Sequence, residues 1–263
     1  MIKKNEKKIY PILPLRNTVL FPQQIFPVYI GREQSLNLID SLPKQGKKYI
    51  VVVAQKDGSV ENPKKGDLYE FGTLAVVMKI FDMPDHSKSA IVQGVDRVRL
   101  IDLKQKKPYY SGSVELVAKE VIDKSVDLSP MISNLKQNYS KLIDIAPYLS
   151  GEQIKIFSNV KDPGKLADRT ISMMNVSTEE KQEVLEELDI LTRLEKSNVI
   201  ITREIQRIEL SEKIQTDVQD EISKSQREYY LREQMKAIQK ELGEDEGSIE
   251  ITELKQQVKK AKM

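Results

Sequence analysis

The chain has 263 residues, 39% hydrophobic and 31% charged, room for one large or two modest domains with a true core beside something extended and solvated. Its net charge of +2, from 42 basic and 40 acidic side chains, calls for neither a nucleic-acid nor a membrane partner. The absence of cysteine excludes disulfides, thiolate metal sites and a cysteine nucleophile.

The first residues, Met-Ile-Lys-Lys, are basic but lead into no apolar run of signal-peptide length. Apolar stretches such as 50–54 and 74–78 are too short to span a bilayer, so a cytoplasmic location is expected. Nine of the eleven glycines and all eleven prolines lie between Pro11 and Gly164, and none of either falls between Lys165 and Leu242. That distribution predicts a turn-rich first part followed by uninterrupted helix.

Within the first part, runs at 9–15, 19–30, 48–55, 72–81, 89–95, 97–103 and 111–122 are rich in Val, Ile and Tyr, as strands are. Turn chemistry such as Asp57-Gly58 and Met83-Pro84-Asp85 separates many of them. Leu36, Ile39 and Leu42 are spaced as on a short helix over 32–42. Several short strands with one helix predict a small mixed barrel or two packed sheets over 1–122. Pro11, Pro14, Pro22 and Pro27 argue that the first strands lie at an edge or bend.

After residue 122 the period changes. Ser129-Pro130 reads as a cap followed by proline in the first turn, and Met131, Leu135, Tyr139, Leu142 and Ala146 form one apolar stripe. A second helix is predicted over 150–160, and a third opens at Asp162-Pro163. Ser177-Thr-Glu-Glu180 is a capping box. These pieces predict a helical bundle over 123–188. The stretch 189–243 has no breaker before its last residue and would extend about 80 Å as one helix. Ile201, Ile205 and Ile208 step as a coiled-coil seam does, as do Leu231, Met235, Ile238 and Leu242. Ile214, Val218 and Ile222 step by four throughout, a stutter where pairing loosens. Such a stripe needs a neighbour to bury it, most economically a second copy. Residues 244–263 read as an acidic hinge and a basic amphipathic helix lined by Ile251, Leu254 and Val258.

No G-x-x-x-x-G-K-S/T phosphate loop and no G-x-S-x-G elbow occur, and His86 is the single histidine. Beside one aspartate in a turn, it reads as a solvated loop residue. Glu179-Glu180 and Glu186-Glu187 read as solvating carboxylates on charged helix faces. No catalysis, metal or cofactor is expected of this chain alone.

Several segments resemble the opening of Lon-type ATP-dependent proteases: Pro11-Ile-Leu-Pro-Leu-Arg16-Asn-Thr-Val-Leu-Phe-Pro22, Ile30-Gly31-Arg32-Glu33, and Val92-Gln-Gly94-Val-Asp-Arg97-Val-Arg99. Leu166-Ala167-Asp168 and Lys181-Gln-Glu-Val-Leu185 fit as well. Most specific is Ser225-Gln-Arg-Glu-Tyr229-Tyr230-Leu231-Arg-Glu-Gln-Met235-Lys-Ala-Ile238-Gln-Lys-Glu-Leu242-Gly243. The resemblance implies an α+β fold: a PUA-like β pseudo-barrel, a helical bundle and a long neck helix leading to an AAA+ module. It also implies a homohexameric parent using ATP and magnesium, with a serine–lysine catalytic pair, in segments expected to lie outside this chain.

The function so implied is capture of unfolded or tagged polypeptides for protein quality control, and organisation of the oligomer above the motor. Unfolded chains share exposed apolar side chains and little else, so their receptor needs adaptable apolar surface. Candidate contacts are Ile25 and Phe26, set between prolines, with Phe81, Met83 and Pro84 near a turn. On the neck helix, Tyr229, Tyr230, Leu231, Met235, Ile238 and Leu242 are candidate helix-pairing contacts, and this chain alone is expected as monomer or dimer. The rival readings are a PUA-like RNA-binding module, resting on the basic run Lys104-Gln-Lys-Lys-Pro-Tyr-Tyr110, and a pure oligomerisation scaffold.

Overall fold

The computed structural model describes residues 8–117, 126–149, 157, 160–242 and 244–260. The chain divides into two compact units, Met1–Gln206 and Arg207–Met263. The fold is α+β, as expected. Among the described residues no helix is long and apolar enough to cross a membrane.

The first unit opens with strands β1 (Lys8–Leu15), β2 (Ile25–Ile30), β3 (Tyr49–Ala54), β4 (Phe71–Asp82), β5 (Lys88–Gln105) and β6 (Ser111–Leu116). Helix α1 (Glu33–Asp40) lies between β2 and β3 in the chain. The strand order is β2-β5-β4-β3-β1-β6, and a further β5–β6 pairing closes all but β2 into a pseudo-barrel. Closure depends on the 18-residue β5. Its first part pairs with β2 and β4, and its last part, from Val98 to Gln105, reaches β6. Register shifts between Leu74 and Ala75, Val77 and Lys79, and Leu100 and Asp102 supply the bending that a closed sheet requires. Inward side chains form two clusters, one around Leu13, Ile30, Leu38 and Val92, the other around Ile12, Val53, Leu74 and Val98.

Three sequence expectations are corrected here. The run 19–30 is not one strand: Gln23 has φ of +62°, the Gln24 side chain accepts the Phe21 N–H at 2.9 Å, and β2 starts only at Ile25. The runs 89–95 and 97–103 are a single strand, since Asp96 pairs opposite Leu74 and Gly94 opposite Ala75, across a register shift at Val95. Finally, β1 is neither a full edge strand nor a central one. Its first half pairs with β6 and its second with β3, so each half has one free side. Pro14 fits because its carbonyl accepts from Arg32 rather than from a strand. Pro27 does lie on the true edge, β2.

Helix α2 (Ser129–Ile145) carries Pro130 in its first turn, but Ser129 is not its cap. The N-cap is Leu128, and the Asp127 carboxylate accepts the Ser129 N–H at 3.0 Å. Helix α3 (Pro163–Met173) is capped by Asp162, which accepts from Lys165 N at 3.0 Å. Helix α4 (Thr178–Glu186) has the expected capping box, with Ser177 and Glu180 each accepting the other's N–H at 3.2 and 3.3 Å. The helix predicted over 150–160 lies outside the described residues apart from Phe157 and Val160. Phe157 stacks on Tyr139 with ring centroids 3.9 Å apart.

Helix α5 (Ile190–Glu241) is a single element of 52 residues. Its first turns bury Ile190, Leu194, Ile201 and Ile205, each worth about 1.5–3 kcal/mol when fully covered. Ile201 and Ile205, read from spacing as coiled-coil seam, therefore belong to the core of the first unit. The second unit begins at Arg207. In it α5 continues to Glu241, and helix α6 covers Glu244–Lys260. The expected acidic hinge is helical, and an acidic run suits the first turn of a helix.

One ionic cluster docks barrel on helices. The Arg97 guanidinium of β5 forms two bonds to the Asp168 carboxylate of α3, at 2.9 and 2.5 Å, and its Nε donates to the Leu185 carbonyl of α4 at 2.9 Å. Arg193 of α5, fully buried, lies 3.7 Å from the same carboxylate and donates through Nε to the Glu187 carbonyl at 2.7 Å. Gln182 of α4 adds a bond to the Phe71 carbonyl of β4 at 3.0 Å. Asp168→Ala leaves two buried guanidinium groups without their carboxylate and is expected to cost about 3–5 kcal/mol, read by urea denaturation.

Tyr139, buried beside Phe157, has its pKa pushed up to about 12, chiefly because burial disfavours the phenolate. The neutral form is therefore the one the native state favours. This contribution is complete below the unfolded value near 10 and is lost as pH rises from there towards 12, on the order of 2–3 kcal/mol. Alkaline melts of the wild type and Tyr139→Phe are expected to diverge over that window, the wild type losing more stability.

Candidate functional site

Strands β2, β5 and the far half of β4 form a ribbon with one face on the barrel core and one in solvent. Alternation places Phe26, Val28 and Ile30 inward and Ile25, Pro27 and Tyr29 outward. On β4 the register shift at Val77/Lys79 leaves Met78 without a partner residue on β5, and both Met78 and Lys79 are exposed. Phe81 follows, with the Lys79 ammonium 4.7 Å above its ring. Exposure is 63% at Ile25, 65% at Tyr29 and 58% at Met78, high for large apolar side chains.

Of the residues singled out from sequence, Ile25 and Phe81 stand on this face, and Met83 and Pro84 are exposed in the turn beyond it. Phe26 does not join them: it is half-buried against the core, because it alternates to the inner side of β2. Tyr29 and Met78 were missed. Tyr29 was legible in principle from the alternation of Ile25, Pro27 and Tyr29, whereas Met78 is turned outward by an irregularity that no spacing announces.

The turn is tied to the ribbon. Asp85 accepts from the Ser87 N–H and hydroxyl at 3.1 and 2.5 Å and from the Tyr29 hydroxyl at 3.1 Å. The Ser87 bonds hold the Asp85 pKa below the usual carboxylate range. His86 sits in this turn with φ of +62°, exposed, its backbone N–H donating to the Met83 carbonyl. Among the described residues no group of acidic or histidine side chains is placed to hold a metal ion.

At the Ile25 end the ribbon meets a cleft of about 590 Å³. One wall is the Pro22–Gln24 turn, whose close fit needs Gly94: Gln23 N donates to the Gly94 carbonyl and Gly94 N to the Gln24 carbonyl, both at 2.9 Å, and a Cβ at Gly94 would run into the Phe21 carbonyl. The other wall is Lys161 and helix α3, presenting Lys165, Arg169, Ser172 and Met173.

Arg32 gains a role that sequence did not supply. It donates to the Gln55 side chain at 2.7 Å and the Pro14 carbonyl at 2.6 Å, tying the chain after β2 to β1 and β3. Burial, with Arg16 nearby, lowers its pKa. Between β1 and β2 lies a groove of about 390 Å³ that Arg32 helps to line. The carboxylates read as solvating are also structural: Glu180 caps α4 and pairs with Arg203, and Glu187 pairs with Lys196 at 2.8 Å.

The basic run 104–110 offers no stacking platform, because Tyr110 is buried and Tyr109 packs on the core. In the second unit Tyr229, Tyr230, Leu231, Met235, Ile238 and Leu242 are all more than half exposed, and Lys236 pairs with Glu233 at 3.0 Å.

A mixed β-barrel docked on helices, with an apolar ribbon left open, is the class of module that the fold defines. The family model described as the ATP-dependent protease La (LON) substrate-binding domain matches residues 9–203. The chain is 40% identical over 257 residues to a Lon protease of Dictyoglomus thermophilum, covering 97% of this chain and 32% of that protein. It is also 40% identical over 260 residues to a Lon protease of Koribacter versatilis, covering 98% and 32%. The chain belongs to the Lon protease family, and it spans about a third of the length of these curated relatives. Two solved structures share the fold. The N-terminal domain of a Mycobacterium avium complex Lon protease has a TM-score of 0.57 at 16% identity, covering 74% of this chain and 98% of that one. A Lon N-terminal domain protein from Xanthomonas campestris has a TM-score of 0.51 at 14% identity, covering 72% and 96%.

Proposed function

We propose that this chain captures unfolded or damaged polypeptides through the outer face of the β2–β5–β4 ribbon and delivers them to an AAA+ motor in the remainder of a Lon-type parent. In that parent, ATP and magnesium drive threading and a serine–lysine pair cleaves the peptide bond. The observation that carries the reading is the concentration of Ile25, Tyr29, Met78, Phe81 and Met83 in solvent on one ribbon and its turn. Side chains there are aromatic or flexible, which suits clients that share no sequence.

The second unit supports the organising half of the role. Its apolar stripe on α5, from Leu210 through Ile222 to Leu242, is exposed among the described residues and is suited to pairing with the helix of another copy in a homohexameric, cytoplasmic parent.

Two measurements test these statements. Ile25→Asp combined with Met78→Asp is expected to weaken binding of a reduced, carboxymethylated lactalbumin by about tenfold in a fluorescence titration, with the thermal melt unchanged. Wild-type affinity in that variant removes the ribbon from the site. Light scattering over a concentration series is expected to find monomers and dimers, and a hexamer at low concentration would show that the helix suffices for ring assembly.

A further inference from the structure

The cleft at the Ile25 end of the ribbon is cationic. Lys161, Lys165 and Arg169 line it, and among the described residues none of the three pairs with a carboxylate. Among the described residues its acidic lining residue is Asp162, which is engaged in capping α3. Gln23, Gln24 and Ser172 also line it, and a buried Arg169 Nε–H finds no acceptor. The opposite end of the ribbon has the reverse sign. There Asp82 and Asp85 are exposed, and Lys88 is shared between Asp40 and Asp82. Ile25 and Tyr29, which mark the two ends on β2, stand about 13 Å apart along the strand. Ile25 belongs to both surfaces: it is exposed on the ribbon and lines the cleft.

We propose that the cleft is a carboxylate subsite of the polypeptide-binding surface, so that preferred clients carry an apolar segment adjoined by acidic side chains. The apolar part lies on the ribbon, and the Asp or Glu side chains enter between Lys161, Lys165 and Arg169. The electrostatic polarity fixes which end of the client's apolar segment faces the helices. This inference rests on the ribbon reading above and adds the client's charge pattern to it.

The test uses the whole chain and labelled peptides with one Leu-Val-Phe-Leu-Val centre flanked by short runs of glutamate, glutamine or lysine. Fluorescence anisotropy at low salt is expected to give the glutamate peptide about fivefold higher affinity than the glutamine peptide, with the lysine peptide weakest, and the gap is expected to narrow as salt rises. Lys161→Gln combined with Lys165→Gln, two exposed positions that leave the core intact, is expected to abolish the glutamate preference while keeping the glutamine affinity. Equal wild-type affinities, or a preference that survives the double variant, overturn the subsite and leave the ribbon standing. If no peptide binds, the ribbon itself is overturned and the subsite with it.

Discussion

The first unit is organised around the buried carboxylate of Asp168. Asp168 holds the Arg97 guanidinium through two parallel hydrogen bonds and has Arg193 close by, so one acidic side chain joins a barrel strand, α3 and the opening turns of α5. A buried ion pair gains little over a well-packed apolar substitute, but losing one partner alone is costly. Its contribution is therefore orientation. The planar fork of arginine accepts a narrow range of carboxylate poses, and the Leu185 carbonyl on Arg97 Nε narrows that range further.

Orientation matters because the cleft is made by apposition. Its barrel wall is the Pro22–Gln24 turn and its helical wall is α3, the helix that carries Asp168. Arg169, the next residue along α3, lines the cleft. The residue that fixes the docking and the residue that lends charge to the surface are thus neighbours in sequence, aimed to different sides of one helix. Any change in how α3 meets the barrel alters the spacing between Ile25 and Lys165.

Much of the architecture was legible in the amino-acid order. The capping box at Ser177, the start at Asp162-Pro163 and the breaker-free helix are local signals, and local signals survive folding. The β-rich runs were visible too, but not their topology, because the span of β5 across three neighbours is decided by register. Arg97, Asp168 and Leu185 each sat in a stretch bearing the family resemblance, yet nothing in their spacing told that they meet. For the surface, exposure followed side-chain alternation: Ile25 and Phe26 are adjacent and had looked equivalent, but they face opposite ways. Met78 depends on an irregular pairing, and the basic cleft on tertiary apposition, so neither could be read from the chain.

Pro27 gives the ribbon a property beyond stickiness. It lies in the middle of β2, an edge of the sheet, where an extended chain could otherwise add itself as another strand and remain zipped by main-chain bonds. Proline cannot donate there, which interrupts the row of donors a seventh strand would need. On the proposed reading, guests are thereby confined to side-chain adhesion, which is broad in taste and quick to release. An edge interrupted in this way cannot become the seed onto which a neighbouring chain adds strand by strand.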